Sequence, residues 1–536
     1  MAKQKYTLVF ATILLLFFVS IRSVASGYAS EKPSRQTDIT VTYTQYEWWM
    51  LKWSNNELRC QIFTDHEGLP TSDDIFVYCG NDLYNKWIKT DACPAITESE
   101  KNISDCNGFY LHPVSSEVLT KTVHVDLPLP EAWIAIDGCS PQPPNNYCEE
   151  LPNLIISGIE PLPNENITAI QGTYNDIPFM CEGDICKVPM RPTPLEGVNV
   201  EFWAESSFGD ETEHYSALVR VIDTGVSESP GEKGWFIDMI SSRWAGEQVG
   251  SCGQIWGAFP PIGGSPEWLS SPESSQLLAS DEPYMFLAGR LISQGIIDAL
   301  DCPNMGLEEN GYANICGLEK AREEVDRWQN QFDTQIIEVA KETGVPGQLI
   351  KNLFALESQF WPGAFNNAKE FGLGQLTELG ADTILLWNET FFNQFCPLVL
   401  DADTCSLGYA QLNEENQATL RGAVAMNASA YCTDCPAGID LSHADFSIQL
   451  FAQTLQANCE QTGHIITNIT GKSPGEVSTY EDLWKFTLAN YHAGPGCLMK
   501  AIKSVPSGTP INWETTAQYL ETDCPGTVDY VKQISK

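Results

Sequence analysis

The chain has 536 residues, with 70 acidic side chains against 30 basic ones and a formal net charge of −40. So acidic a surface repels phosphate backbones and anionic lipid headgroups, which argues against nucleic acid and membrane surfaces as partners. The length exceeds what one hydrophobic core serves, so about three or four domains are expected.

The first thirty residues read as an export signal. Lys3 and Lys5 precede an apolar run from Leu8 to Ile21, and Ser23-Val24-Ala25 offers a small-residue cleavage site, so residues 1–25 are expected to be a signal peptide. The run is short for a membrane span, and an uncleaved anchor is the alternative, the one route by which a membrane enters. Export suits the 18 cysteines, which in an oxidising compartment are expected to form mostly disulfides. Cys139/Cys148, Cys181/Cys186 and Cys302/Cys316 are spaced as local staples, although sequence does not fix connectivity. Cys432-Thr-Asp-Cys435 has redox or zinc-ligand spacing but no histidine cluster beside it. Five Asn-x-Ser/Thr sites (Asn102, Asn166, Asn388, Asn427, Asn468) matter only if the host glycosylates them.

Residues 39–150 are rich in β-formers, as in "DITVTYTQYEWWMLKW", with few helical patterns. Trp48, Trp49 and Trp53 in this stretch fit either strand packing, the commoner use, or a sugar-stacking platform. After the boundary loop "GCSPQPPNNYCEELP", strand signals resume over 151–225 as in a small sandwich. Residues 226–317 read as a linker with short helices, two of them starting at Ser265-Pro266-Glu267 and Ser271-Pro272-Glu273. From Leu318 the pattern is long-helical, beginning with "LEKAREEVDRWQNQFDTQIIEVAKETG". The expected fold is therefore multidomain, with β-rich, sandwich-like modules in front of an all-α or α+β domain over 318–536. A cysteine-rich insertion occupies about 380–480, where Phe446, Ile448, Leu450 and Phe451 read as core.

Chemistry concentrates in "LFALESQFWPGAFNNAKEFGLGQL". Pro346 starts a helix and Pro362 stops it, which puts Glu357 in the last turn. There the negative end of the helix dipole and apolar neighbours both disfavour ionisation. A carboxylic acid kept protonated near neutral pH is what a general acid for glycosidic cleavage requires.

These residues resemble the catalytic motif of the lysozyme-like soluble lytic transglycosylases, which is similar to that of goose-type lysozymes. The matching positions are Glu357-Ser358, Phe360, Pro362, Ala364 and Gly372-Leu373-Gly374-Gln375, with Tyr491-His492-Ala493-Gly494-Pro495-Gly496 matching a second signature. The resemblance covers Leu318 to the C-terminus. It implies a lysozyme-like fold and cleavage of peptidoglycan, or of a related N-acetylated glycan such as chitin, with Glu357 as the single acid and base. Under it Tyr491 hydrogen-bonds near Glu357 and the substrate acetamido group, Gln375 contacts the sugar and Ser358 holds the catalytic helix. Asn366 and His492 stand where the family carries Ser and Asn, and both remain candidate substrate contacts. Lys369-Glu370 replace a Gly-Ala pair, and Gly374 replaces a Met. A hydrolytic variant would need Glu370 or Asp382 to position a water. A non-catalytic glycan-binding or scaffold protein is the reading from a different class. The seven histidines are scattered without metal-ligand spacing, so no metal is expected, and no phosphate-binding glycine loop or cofactor signature stands out; Gly471-Lys472-Ser473-Pro474-Gly475 fails as a nucleophile elbow because Pro474 lacks the N–H.

Overall fold

The computed structural model describes residues 34–90, 107–139, 146–224, 234–244, 250–365 and 369–536. The segment expected to be an export signal, Cys93, Cys106, Asn102 and Asn366 lie outside these. A β-rich region spanning residues 36–240 precedes a helical region spanning 250–535. The chain divides into two compact units. One runs to Pro130 and includes Glu160–Asn166 and Ser207–Asp210; the other comprises Glu131–Ile159, Ile167–Ser206 and Glu211–Lys536.

In the first unit, β1 (Gln36–Lys52) lies between β2 (Leu58–Thr64) and β3 (Phe109–Asp126) in an antiparallel sheet. Helix α1 (Ser72–Lys89) packs on it, capped by the reciprocal Thr71–Asp74 box and kinked at Gly80. This helix lies inside the stretch read as rich in β-formers with few helical patterns, and the sequence reading did not place it. The core is small, with Met50, Ile62 and Ile75 fully buried and Trp48 partly so, and the Cys60–Cys79 disulfide joins β2 to α1 beside it. Trp53 packs on Tyr110 with ring centroids 4.5 Å apart.

The second unit begins with two facing sheets. One has three strands, β4 (Glu131–Asp137), β6 (Asn153–Ile159) and β9 (Ile185–Pro189). The other has six, containing β5 (Tyr147–Cys148), β7 (Ile167–Tyr174), β8 (Ile177–Glu182), β10 (Val198–Ser206), β11 (Tyr215–Asp223) and β12 (Trp235–Ile240). Period-two alternation puts Val200, Phe202 and Ala204 of β10 inward and Asn199, Glu201 and Trp203 outward. Pairing of β4 with β6, and of β11 with β12, runs across residues 150 and 225.

Helices follow: α2 (Ser251–Trp256), α3 (Met285–Ser293), α4 (Ile315–Asn330), α5 (Asp333–Thr343), α6 (Gly347–Ser358), α7 (Glu378–Trp387), α8 (Glu389–Phe395), α9 (Glu414–Ala428), α10 (Leu441–Thr470), α11 (Tyr480–Ala493), α12 (Pro495–Ser504), α13 (Trp513–Asp523) and α14 (Thr527–Ile534). The thirty-residue α10 touches α2, α5, α7, α9, α11 and α12. It is buried on most of its circumference, as a central helix must be. Ile448, Leu450 and Phe451 are core, but Phe446 is 54 % exposed, against expectation. Neither Ser-Pro-Glu segment starts an α-helix: only single 3₁₀ turns form, at Glu267–Leu269 and Ser275–Leu277.

The expected long helix is broken into α4 and α5. Lys351 of α6 lies fully buried at the break, where its ammonium bonds Asp333 Oδ1 at 2.6 Å and donates to the Gln329 carbonyl at 2.9 Å.

Eight disulfides join described cysteines. The three expected staples form, Cys432 and Cys435 bond each other, and Cys252–Cys459 ties α2 to α10 across 207 residues. Such a set belongs to an oxidising environment. Among the described residues no helix is long and apolar enough to cross a membrane.

Candidate functional site

Helix α6 ends one residue after Glu357. Gln359 and Phe360 both take left-handed backbone angles, φ 48° and 60°, which stop the helix before Pro362. Two non-glycine residues in that region are strained, and the surroundings hold them there. Gln359 Oε1 accepts from the main-chain N–H groups of Phe286 and Leu287 at the start of α3. Phe360 is fully buried against Tyr284, Phe332 and Phe354, and its carbonyl accepts from Trp328 Nε1 at 2.8 Å. The turn beyond Glu357 is thus anchored on both sides.

Residues 371–376 fold back along the end of α6. Ser358 is buried and donates to the Leu373 carbonyl at 2.7 Å. Gln375 Nε2 donates to the main-chain carbonyl of Glu357, so its amide holds the turn. Gly372 adopts φ +73°, and a Cβ there would lie 2.0 Å from the Ala428 carbonyl, so only glycine fits. At Gly374 a Cβ would meet the Phe451 ring at 2.5 Å and Tyr491 Oη at 2.9 Å. The space of the absent side chain is filled by those two residues.

From the other side, α11 brings Tyr491 and His492, and α14 brings Tyr530. Tyr491 donates to the Gly374 carbonyl at 2.5 Å and lines the same cavity as Glu357. The partner of Glu357 is Tyr530, whose hydroxyl donates to Oε1 at 2.5 Å. His492 stacks on the Tyr530 ring with centroids 4.1 Å apart. Tyr530 was missed because nothing local ties residue 530 to residue 357. The available signal was a hydroxyl-bearing ring in the apolar stripe Tyr530, Val531 and Ile534, since a buried Tyr O–H generally has a partner.

These groups surround a cavity of about 500 Å³, lined among others by Glu357, Glu370, Gln375, Asn458, Asn490, Tyr491 and His492. Two other depressions are larger, about 640 and 760 Å³, but only this one brings both sequence motifs together. Of the two candidate bases, Glu370 lines it and Asp382 does not. Asp382 accepts from the Tyr409 hydroxyl and pairs with Arg421 at 3.1 Å. It is held away from the cleft by those partners.

Burial pushes the Glu357 carboxyl up to about 7, the negative charge of Glu370 adds to the rise, and the Tyr530 hydrogen bond opposes it. Burial also lowers His492, favouring the neutral ring, and keeps Tyr491 and Tyr530 protonated. The site therefore presents one carboxyl able to give and take a proton near neutrality, between two neutral phenols. Among the described residues no group of three or more His, Cys, Asp or Glu could hold a metal. No protein-family model, curated protein or solved structure significantly matches the chain.

Proposed function

We propose that this is an exported enzyme cleaving the glycan strands of peptidoglycan, a lytic transglycosylase using Glu357 as its only acid and base. The observation that carries the reading is a carboxyl raised to about 7 in a cavity where the residues of both sequence motifs converge. Glu357 gives its proton to the glycosidic oxygen between N-acetylmuramic acid and N-acetylglucosamine, and the C1–O bond breaks. The acetamido oxygen stabilises the cation at C1, so no second carboxylate is obligatory. The Glu357 carboxylate then takes the proton of the C6 hydroxyl as its oxygen bonds to C1, closing a 1,6-anhydro ring without water. Tyr530, donating to Oε1, steadies the carboxylate between the two transfers. The disulfides support an extracytoplasmic site of action, and the β-rich modules would hold the enzyme at the cell envelope.

Glu370, lining the same cavity, supports a second reading in which it activates a water and the product is a hydrolysed sugar. Digestion of purified peptidoglycan by the wild type and by Glu357→Gln, read by mass spectrometry, tests both. Products one water lighter than hydrolysis gives, absent with the variant, fit the transglycosylase. Hydrated products lost in the variant fit the hydrolase. Equal inactivity of both proteins on peptidoglycan and on chitin oligomers means a glycan-binding or scaffold protein instead.

A further inference from the structure

Strained backbone gathers at one place in this protein. Ten described residues other than glycine have positive φ, and five of them are neither Asn nor Asp, the types that tolerate that region best: Tyr284, Met305, Gln359, Phe360 and Gln375. Four of these five meet around the C-terminal end of α6. Gln359 and Phe360 form the turn after Glu357, and Gln375 bonds the Glu357 main-chain carbonyl. The buried Tyr284 packs on Phe360 with ring centroids 6.3 Å apart. Left-handed residues of these types are costly and persist only where the surroundings over-determine the backbone, which is the case most often at functional sites.

The side chain of Gln359 supplies much of that constraint. Its Oε1 accepts from the N–H of Phe286 at 2.9 Å and of Leu287 at 3.1 Å. Both partners are donors, so the amide must turn its oxygen, not its nitrogen, towards them. These N–H groups open α3, whose own N-cap residue, Tyr284, offers them no side-chain bond. Gln359 thus caps a helix that begins 73 residues before it in the chain. The same helix meets the turn a second time through Arg290, whose guanidinium lies over the Trp361 ring at 5.8 Å. Its start is seated in turn by Ala313, whose N–H donates to the Met285 carbonyl at 2.8 Å.

We propose that Gln359 is a positioning residue for Glu357: by capping α3 with its amide oxygen it locks the strained turn that ends α6, and so fixes the acid against Tyr530. Under this proposal α3 is part of the site. The positioning follows from geometry alone, and only its effect on turnover rests on the glycan-cleaving reading.

Three substitutions in the full-length protein test it. Gln359→Met keeps the length and loses the acceptor. Gln359→Gly also loses the acceptor but takes a φ of 48° without strain, which keeps the test open if Gln359→Met fails to fold. Gln359→Glu keeps an acceptor, and its charge suits the start of a helix. Glu370, Tyr491, His492 and Tyr530, the titratable groups that face the acid, are the same in every protein. One reading is the protonation midpoint of Glu357, followed as the carboxyl C=O infrared band that is missing when Glu357→Gln is added to the same protein. The other is kcat and KM on peptidoglycan strands. With the acceptor gone the turn loosens and water reaches the carboxyl, so in the Met and Gly variants the midpoint should fall by about one pH unit. Their kcat should fall about tenfold or more, with KM little changed. Gln359→Glu should recover kcat and hold the midpoint at or above that of the wild type, since its charge opposes ionisation of Glu357. An unchanged midpoint and kcat in Gln359→Met, a Gly variant that matches the wild type, or a Glu variant as defective as Met overturns the proposal. If the wild type cleaves no glycan while the midpoint still falls in the Met and Gly variants, the glycan-cleaving reading fails and the positioning stands.

Discussion

Tyr530 Oη lies 2.5 Å from Glu357 Oε1 although 173 residues separate the two in sequence. The phenol is buried and stays protonated, so it always donates, and it favours the ionised carboxyl. Burial favours the neutral one and prevails, leaving the group near 7. In the proposed reaction the acid form of Glu357 acts first, so kcat/KM should fall as pH rises through about 7. Tyr530→Phe removes the opposing hydrogen bond and should move that alkaline limb to higher pH. Glu370→Gln removes a repelling charge and should move it to lower pH. A pH–rate profile of the three proteins checks both signs; shifts in the same direction would contradict the assignment.

Glu357 should also show itself in stability. Its carboxyl has an ordinary value of 4.5 when unfolded and about 7 when folded, so the folded state holds the proton more tightly. Stability from this group is complete below about 4.5 and is lost as pH rises through 7. Glu357→Gln is neutral throughout and escapes that loss. It should match the wild type at pH 4 and exceed it at pH 8 by on the order of 2–3 kcal/mol, read by denaturant unfolding at the two pH values.

Gly374 gives a packing test. Gly374→Ala drives a methyl into the Phe451 ring and Tyr491 Oη. Phe451 is 1 % exposed and has no free space to retreat into. The substitution should cost about 1–3 kcal/mol and lower activity by displacing Tyr491. Combined with Phe451→Leu, the loss should be smaller than the sum of the two single changes, as a double-mutant cycle would report.

The buried pair behind α6 behaves differently. Lys351→Met strands Asp333, which is 6 % exposed, and should cost about 3–5 kcal/mol. Lys351→Met with Asp333→Leu removes both charges and should recover most of that loss. Chemical denaturation of the three variants decides; equal loss in the single and double variants would mean that the pair contributes net stability.

Much of this was legible in the sequence, and the limit falls where contacts stop being local. Pro346, Pro362 and the apolar run between them fixed the catalytic-type helix, because a proline acts on its own neighbours. Period-two alternation gave the strands of the sandwich in the same way. The bond from Tyr530 to Glu357 and the Lys351–Asp333 pair join residues that only the folded chain brings together. Tyr491 was read as bonding near Glu357, but the Gly374 carbonyl that accepts from it is a contact that only the folded chain supplies. Asp382 shared the acidity of a candidate base, yet Arg421 and Tyr409, 39 and 27 residues away, decide where it points.

The Cys252–Cys459 bridge has a consequence for the order of oxidation. Six described cysteines lie between its two ends in the chain, and they pair among themselves at separations of 14, 9 and 3 residues. In an oxidising environment, a chain that becomes available from its N-terminal end presents Cys252 first, 207 residues ahead of its partner. Each short pair can close as soon as its second member appears, since short loops cost little entropy to form. Rapid local closure withdraws the competing thiols one pair at a time, so that when Cys459 arrives Cys252 meets few wrong partners. The local staples thereby act as chaperones of the long one, and losing any single staple should raise mispaired isomers of Cys252.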